Sequence, residues 1–176
     1  VTVLVESGAG QAAGFGDDEY SQAGAKLESS AERLLEQTDL LVKIHAPSVL
    51  EAERLRRGAT LLCLLYPRAH AEATSCLAGR RVTTVALENL PRTMIAQSMD
   101  VLSSQSTVAG YRAVIVAANI LAKFFPMLMT PAGTFAPARV LVLGAGVAGL
   151  QAIATARRLG AVVEAFDVRP AVRGQG

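Results

Sequence analysis

The sequence predicts an α/β protein: two domains built on doubly wound parallel sheets and joined by a long helix. Three observations carry this. Strand-like apolar runs alternate with short, capped helical segments over residues 1–95. The stretch from Ala96 to Phe125 holds no proline and one glycine, Gly110, so residues 96–126 read as a connecting helix. Residues 139–143 then run into a glycine-rich turn that opens a second strand–helix–strand unit within residues 127–176.

Each element has its own warrant. "VTVLVE" is apolar enough for a short buried strand. "SGAGQAAGFGDDEY" is turn-like, with Asp17 or Asp18 as the cap of a helix through Gln22. "SSAERLLEQ" puts apolar residues at helical spacing behind Ser29 or Ser30. "DLLVKIHAP" is a strand stopped by Pro47, and "SVLEAERLRRG" a capped helix ended by Gly58. "ATLLCLLYP" is a strand, "RAHAEATSCLAGR" a helix closing at Gly79, and "RVTTVALEN" a fourth strand. "AQSMDVLSSQSTVAGYRAVIVAANILAKFF" reads as one long helix, weakest in its serine-rich part and ended or kinked by Pro126. "TPAGTFAPA" is a loop rich in proline and glycine.

Composition excludes several classes of function. The 176 residues suit one or two domains, and 51% are apolar, enough for packed cores. Seventeen basic residues against 15 acidic ones leave a net charge of +2, with no local basic run, so no nucleic acid is expected as a partner. The two cysteines, Cys63 and Cys76, form neither a C-x-x-C nor a metal-ligand cluster, which points to a reducing compartment and no metal site. The longest charge-free run, Val140 to Ala156, falls short of the ~20 apolar residues that a spanning helix needs. The chain opens on Val1, and only one and a half strand–helix units follow the glycine turn, so it reads as truncated at both ends.

The glycine turn is Gly144-x-Gly146-x-x-Gly149, with Asp167 21 residues beyond Gly146 at the end of the next strand. In a Rossmann-like unit each part has a physical task. Gly144 permits the tight turn, Gly146 lets the backbone approach a pyrophosphate, and Gly149 lets helix and strand pack closely. The helix N-terminus around Val147 offers free N–H groups and a positive dipole end to phosphate. Asp167 would accept hydrogen bonds from an adenosine ribose, and its carboxylate would repel a 2′-phosphate, which favours NAD(H). Arg169 works the other way, since a nearby arginine can accept that phosphate. The plainer reading is that the glycines serve only strand–helix packing.

"ENLPRTMIAQSMDVLSS" places Arg92, Gln97, Asp100 and Ser103 close together in sequence. If the helix has begun, Gln97, Asp100 and Ser103 share a face at three-residue spacing. These are donors and acceptors of the kind a nicotinamide carboxamide needs. They are equally the residues of an ordinary helix N-terminus.

"VESGAG", "AGFGDDEY", "VKIHAP", "PRTMIAQSMDVLSSQSTVAGYRAV", "FFPMLMTPAGT" and "RVLVLGAGVAGLQAIATARRLGAVVEAFDVRPAV" together resemble the NAD(H)-binding domain, alpha-subunit domain I, of proton-translocating nicotinamide nucleotide transhydrogenase. The resemblance covers nearly the whole chain. It implies that Arg92, Gln97 and Asp100 position the nicotinamide and face the NADP(H)-binding domain, and that Ser103 contacts the carboxamide. It implies pyrophosphate and ribose contacts at Gly144, Gly146, Val147, Gly149 and Asp167, with Val168 and Arg169 flanking the adenosine. It further implies a homodimer, and partnership with an NADP(H)-binding domain and a membrane proton-channel domain. The place of work would be the cytoplasmic side of a bacterial inner membrane, or the matrix face of a mitochondrial one. Pro131 departs from the alanine common in the family, and the family's mobile loop would lie beyond Gly176.

The sister family, alanine dehydrogenase, shares the pattern but uses a histidine as general acid/base. Tyr66 stands at the aligned position here, His70 is out of register beyond Pro67, and His45 sits in "VKIHAP" where that family is lysine-rich. Amino-acid oxidation moves a proton as well as a hydride and needs such a base; transfer between two nicotinamides does not. Lys43 is the one residue left that an imine substrate would use. The reading is therefore a transhydrogenase component passing hydride from NADH to NADP⁺. The alternatives are an alanine-dehydrogenase-type enzyme and a non-catalytic NAD-binding module.

Overall fold

The computed structural model describes residues 1–91 and 93–169. The chain packs as two compact units, Val1–Met99 and a second starting at Asp100.

In the first unit, β1 (Leu4–Glu6) pairs in parallel with β2 (Lys26–Glu28). Between them lies α1 (Asp17–Gln22). The residue at its cap is Gly16, not Asp17 or Asp18 as the composition suggests. Glu19 reaches back to the Gly16 amide at 2.7 Å, and Asp17, already in the first turn, accepts the Gly8 amide at 2.8 Å. The carboxylate expected to cap the helix thus fastens the glycine-rich loop instead.

A three-stranded parallel sheet follows, in the order β3 (Leu40–His45), β4 (Thr60–Leu64), β5 (Thr83–Ala86). Parallel neighbours need crossovers, and helices supply them. α2 (Ala31–Gln37) precedes β3, α3 (Val49–Arg54) joins β3 to β4, and α4 (Ala71–Gly79) joins β4 to β5. Ser30 caps α2 by accepting the Arg33 amide, and Ser48 with Glu51 forms a capping box on α3. Leu61 and Cys63 of central β4 are fully buried. They meet Leu34 and Leu35 of α2, Leu41 of β3, Ala52 of α3 and Leu77 of α4 in one core.

The second unit begins with α5 (Val101–Ile120). It is shorter than the 96–126 segment and unbroken through its serines. Ala96–Met99 form a 3₁₀ turn, and Asp100 caps the α-helix. The serines are absorbed because Ser104 Oγ and Thr107 Oγ1 donate to the carbonyls of Asp100 and Ser103, at 3.0 and 3.1 Å. The helix ends at Ile120, ahead of Pro126. "MLMTPAGTF", expected to be partly loop, contains an antiparallel hairpin of β6 (Leu128–Thr130) and β7 (Gly133–Phe135). β8 (Arg139–Leu143) and β9 (Val162–Phe166) are parallel and joined by α6 (Val147–Arg158). Val114, Phe125, Ala138, Ala156 and Ala161 form the core. No helix among the described residues is long and apolar enough to cross a membrane.

α5 and α6 approach closely at Gly110, where an added Cβ would run into the Ala148 carbonyl oxygen. Gly110→Ala should therefore lower stability by about 1–3 kcal/mol through overpacking, although alanine is the better helix former. Urea unfolding of the two proteins checks this; an equal or raised midpoint would show that the helices separate at no cost.

Candidate functional site

β8 and β9 end level with each other, because Leu143 pairs with Phe166 and the Gly144 amide donates to the Phe166 carbonyl at 2.7 Å. Beyond them the chain turns at Gly144, whose φ of +96° favours glycine. Gly146 is the N-cap of α6, with φ −79° and ψ −168°, and Val147 opens the helix. A Cβ on Gly149 would collide with the Gly144 carbonyl, so that glycine is required by packing alone. A Cβ on Gly146 would meet only Arg169 Nη2, at 4.0 Å. A Cβ is accommodated at Gly146 without a clash. The packing demand thus falls on Gly149 and not on Gly146.

Asp167, the first residue after β9, reaches across to this turn. Its Oδ2 accepts the Ala145 amide at 2.8 Å, and its Oδ1 accepts the Arg169 amide at 2.8 Å. The Arg169 guanidinium closes on the same carboxylate, Nε to Oδ1 at 3.0 Å and Nη2 to Oδ2 at 2.9 Å. The side-chain bonds from Arg169, then its amide, then that of Ala145 hold the Asp167 carboxyl well below the usual carboxylate range. The same pairing raises the Arg169 guanidinium. Both groups are therefore charged at neutral pH.

A cleft of about 390 Å³ is lined by Leu143, Gly144, Phe166, Asp167, Val168 and Arg169. It gathers four residues singled out in the sequence and adds two that were not, Leu143 and Phe166. Both are exposed apolar residues at strand ends. Their position just before the glycine turn and just before Asp167 was a readable signal, since ligands of such sheets sit at the carboxyl ends of strands.

The polar constellation is divided. Asp100 and Ser103 come together: Oδ1 accepts the Ser103 amide at 3.0 Å and Oδ2 the Ser103 hydroxyl at 2.6 Å. Asp100 is a cap rather than part of a helical face. Gln97 belongs to the first unit, exposed in the Ala96–Met99 turn, its amide donating to the Thr93 carbonyl at 3.1 Å. Arg92 lies outside the described residues. In the first unit Lys43 Nζ is bound to Glu51 Oε1 at 2.6 Å, so the cation reserved for an imine substrate is already paired with the α3 capping box.

The chain matches two family models in succession: alanine dehydrogenase/PNT, N-terminal domain, over residues 1–109, and alanine dehydrogenase/PNT, C-terminal domain, over 113–175. It is 49% identical to the NAD(P) transhydrogenase subunit alpha of Cereibacter sphaeroides, over 98% of this chain and 33% of that one. It is 36% identical to an alanine dehydrogenase of Halomonas elongata, over 94% of this chain and 45% of that one. The crystal structure of a transhydrogenase from Sinorhizobium meliloti superposes with a TM-score of 0.93 at 50% identity, covering 99% of this chain and 52% of that one. The chain thus spans from about a third to about half of the length of these proteins.

Asp100→Ala removes the cap of α5 and should cost about 0.5–2 kcal/mol, whereas Asp100→Asn should keep most of it. Thermal unfolding of both variants checks the capping role; equal losses would show that charge, not capping, is what Asp100 supplies.

Proposed function

The chain belongs to the alanine dehydrogenase/PNT family, and from that premise we propose that it is the NAD(H)-binding part of a proton-translocating transhydrogenase. The observation that carries this is the cleft lined by Gly144 and Asp167 at the end of β8 and β9, in a turn where a Cβ on Gly146 would meet nothing nearer than 4.0 Å. These residues fit an adenine dinucleotide. The α6 N-terminus would face the pyrophosphate, and Asp167 the adenosine ribose. Arg92, Gln97, Asp100 and Ser103 would hold and orient the nicotinamide. When bound, NADH supplies the hydride, and NADP⁺ on a separate domain receives it.

What the chain's own residues must do is limited. They place one ring against another at near-attack distance, roughly 3–3.5 Å, and keep water out. No proton leaves an O–H or N–H in that exchange, so no general base is required. In the first unit, Tyr66 stands where the resemblance to the sister family would put its histidine, and Lys43 is tied to Glu51. Transhydrogenase is accordingly preferred to amino-acid oxidation, and greater identity to the transhydrogenase subunit supports the same choice. The partners in this reading are an NADP(H)-binding domain, a membrane proton channel and a second copy of the chain. The protein would work at the cytoplasmic side of a bacterial inner membrane, or at a mitochondrial matrix face.

Gly146→Val should abolish NADH binding with the fold intact, because the backbone there is extended and only Arg169 stands near the new side chain. Circular dichroism beside NADH titration tests it; retained binding would leave the turn as a packing device. Gln97→Asn draws the amide back by about 1.5 Å and leaves the adenosine contacts untouched. It should slow transfer to NADP⁺ by up to ~100-fold while NADH affinity changes little. Stopped-flow transfer and equilibrium binding on the full-length protein are the paired measurements. Equal falls in rate and affinity would make Gln97 an ordinary binding contact.

A further inference from the structure

Asp167 accepts four N–H groups, two on each oxygen. A carboxylate has about four lone-pair sites, so any further donor must displace one already there. The amides of Ala145 and Arg169 are fixed in the backbone. The donors free to leave are Nε and Nη2 of Arg169, which lie on one rigid guanidinium plane and leave together. The Arg169 side chain is 60% exposed and that of Asp167 9%, so the guanidinium covers the carboxylate and has solvent to move into.

We propose that Arg169 is a specificity-determining residue: it reserves Asp167 for a ligand that brings two O–H donors at once, the vicinal diol of an unmodified ribose. This rests on the reading of the cleft as an NADH site. The exchange is then two for two, with each departing N–H replaced by a hydroxyl. A 2′-deoxyribose replaces one of the two. A 2′-phosphate also replaces one, and sets a second anion against an ionised carboxylate. Arg169 is thus not a phosphate acceptor waiting beside Asp167. It is the competitor that makes the number of donors count. Its Nη2 lies 4.0 Å from a Cβ position on Gly146, beside the glycine turn.

The test is titration of the full-length protein with NADH and with its 2′-deoxyadenosine analogue. Wild type should prefer NADH by roughly 10- to 100-fold, the worth of one charge-assisted hydrogen bond. In Arg169→Ala, water reaches the carboxylate and meets the acceptor that the missing hydroxyl leaves, so the preference should drop below about 3-fold. Arg169→Lys keeps the charge without the planar fork and should behave like the alanine variant. An unchanged preference in Arg169→Ala, or full restoration by lysine, would overturn the proposal. Asp167→Ala separates the two levels. If NADH affinity ignores that change, the nucleotide reading fails and takes the proposal with it. If affinity depends on Asp167 but the preference ignores Arg169, the proposal alone fails.

Discussion

The hydrogen bond from the Ala145 amide to Asp167 is the contact on which the second unit's cleft depends. β8 and β9 are held level by their ladder, but a ladder says nothing about what lies beyond the last pair. Asp167 extends the join past the sheet by taking an amide from inside the glycine turn. With that turn fixed at one end by the carboxylate and at the other by the Gly149–Gly144 contact, α6 can start in only one place. The direction of its first amides follows. The residue that would read the sugar therefore also builds the turn that would hold the phosphates.

The first unit uses the same device for a different end. Glu88, after β5, accepts the amides of Leu65 and Tyr66 at 3.0 and 2.7 Å, just beyond β4. Tyr66 is held there at φ +47°, a conformation uncommon outside glycine. Nearby along the fold, Glu51 combines the Ser48 capping box with the ion pair to Lys43. Glu88 and Glu51 are thus engaged in shaping backbone. An amino-acid substrate would need Lys43 released from Glu51, leaving a capping carboxylate without its cation.

Much of this was legible in the sequence. A serine cap on α2, narrowed by the fold from Ser29 or Ser30 to Ser30, the capped start of α3, the alternation of strands and helices, and the glycine turn with Asp167 all follow from local rules that the packing did not override. What stayed hidden depended on partners distant in sequence or on side-chain choice. β2 is only Lys26–Glu28, mostly exposed, and is a strand because Leu4–Glu6 lies beside it. The β6–β7 hairpin turns at Pro131 and Ala132, without the Asn-Gly signal of common tight turns. Asp17 lost the cap of α1 to Gly16 because the Gly8 amide claimed its carboxylate. Most instructive are Asp167 and Arg169. In sequence they are opposed signals for two nucleotides, whereas in the fold they are one ion pair, and only the geometry says which residue answers to the other.

That pair also fixes the electrical character of the cleft. Its two charged side chains are driven away from neutrality in opposite directions, the carboxyl down and the guanidinium up. Backbone amides, which supply the remaining polar surface of the turn, do not titrate. The cleft accordingly keeps one charge state across the physiological range. An enzyme that must take and return a proton needs the reverse, a group whose charge changes near the working pH. A site that has only to hold a dinucleotide still, so that a hydride can cross between two rings, gains from charges that do not change. Fixed charges of this kind suit the proposed task, in which position rather than proton transfer would lower the barrier.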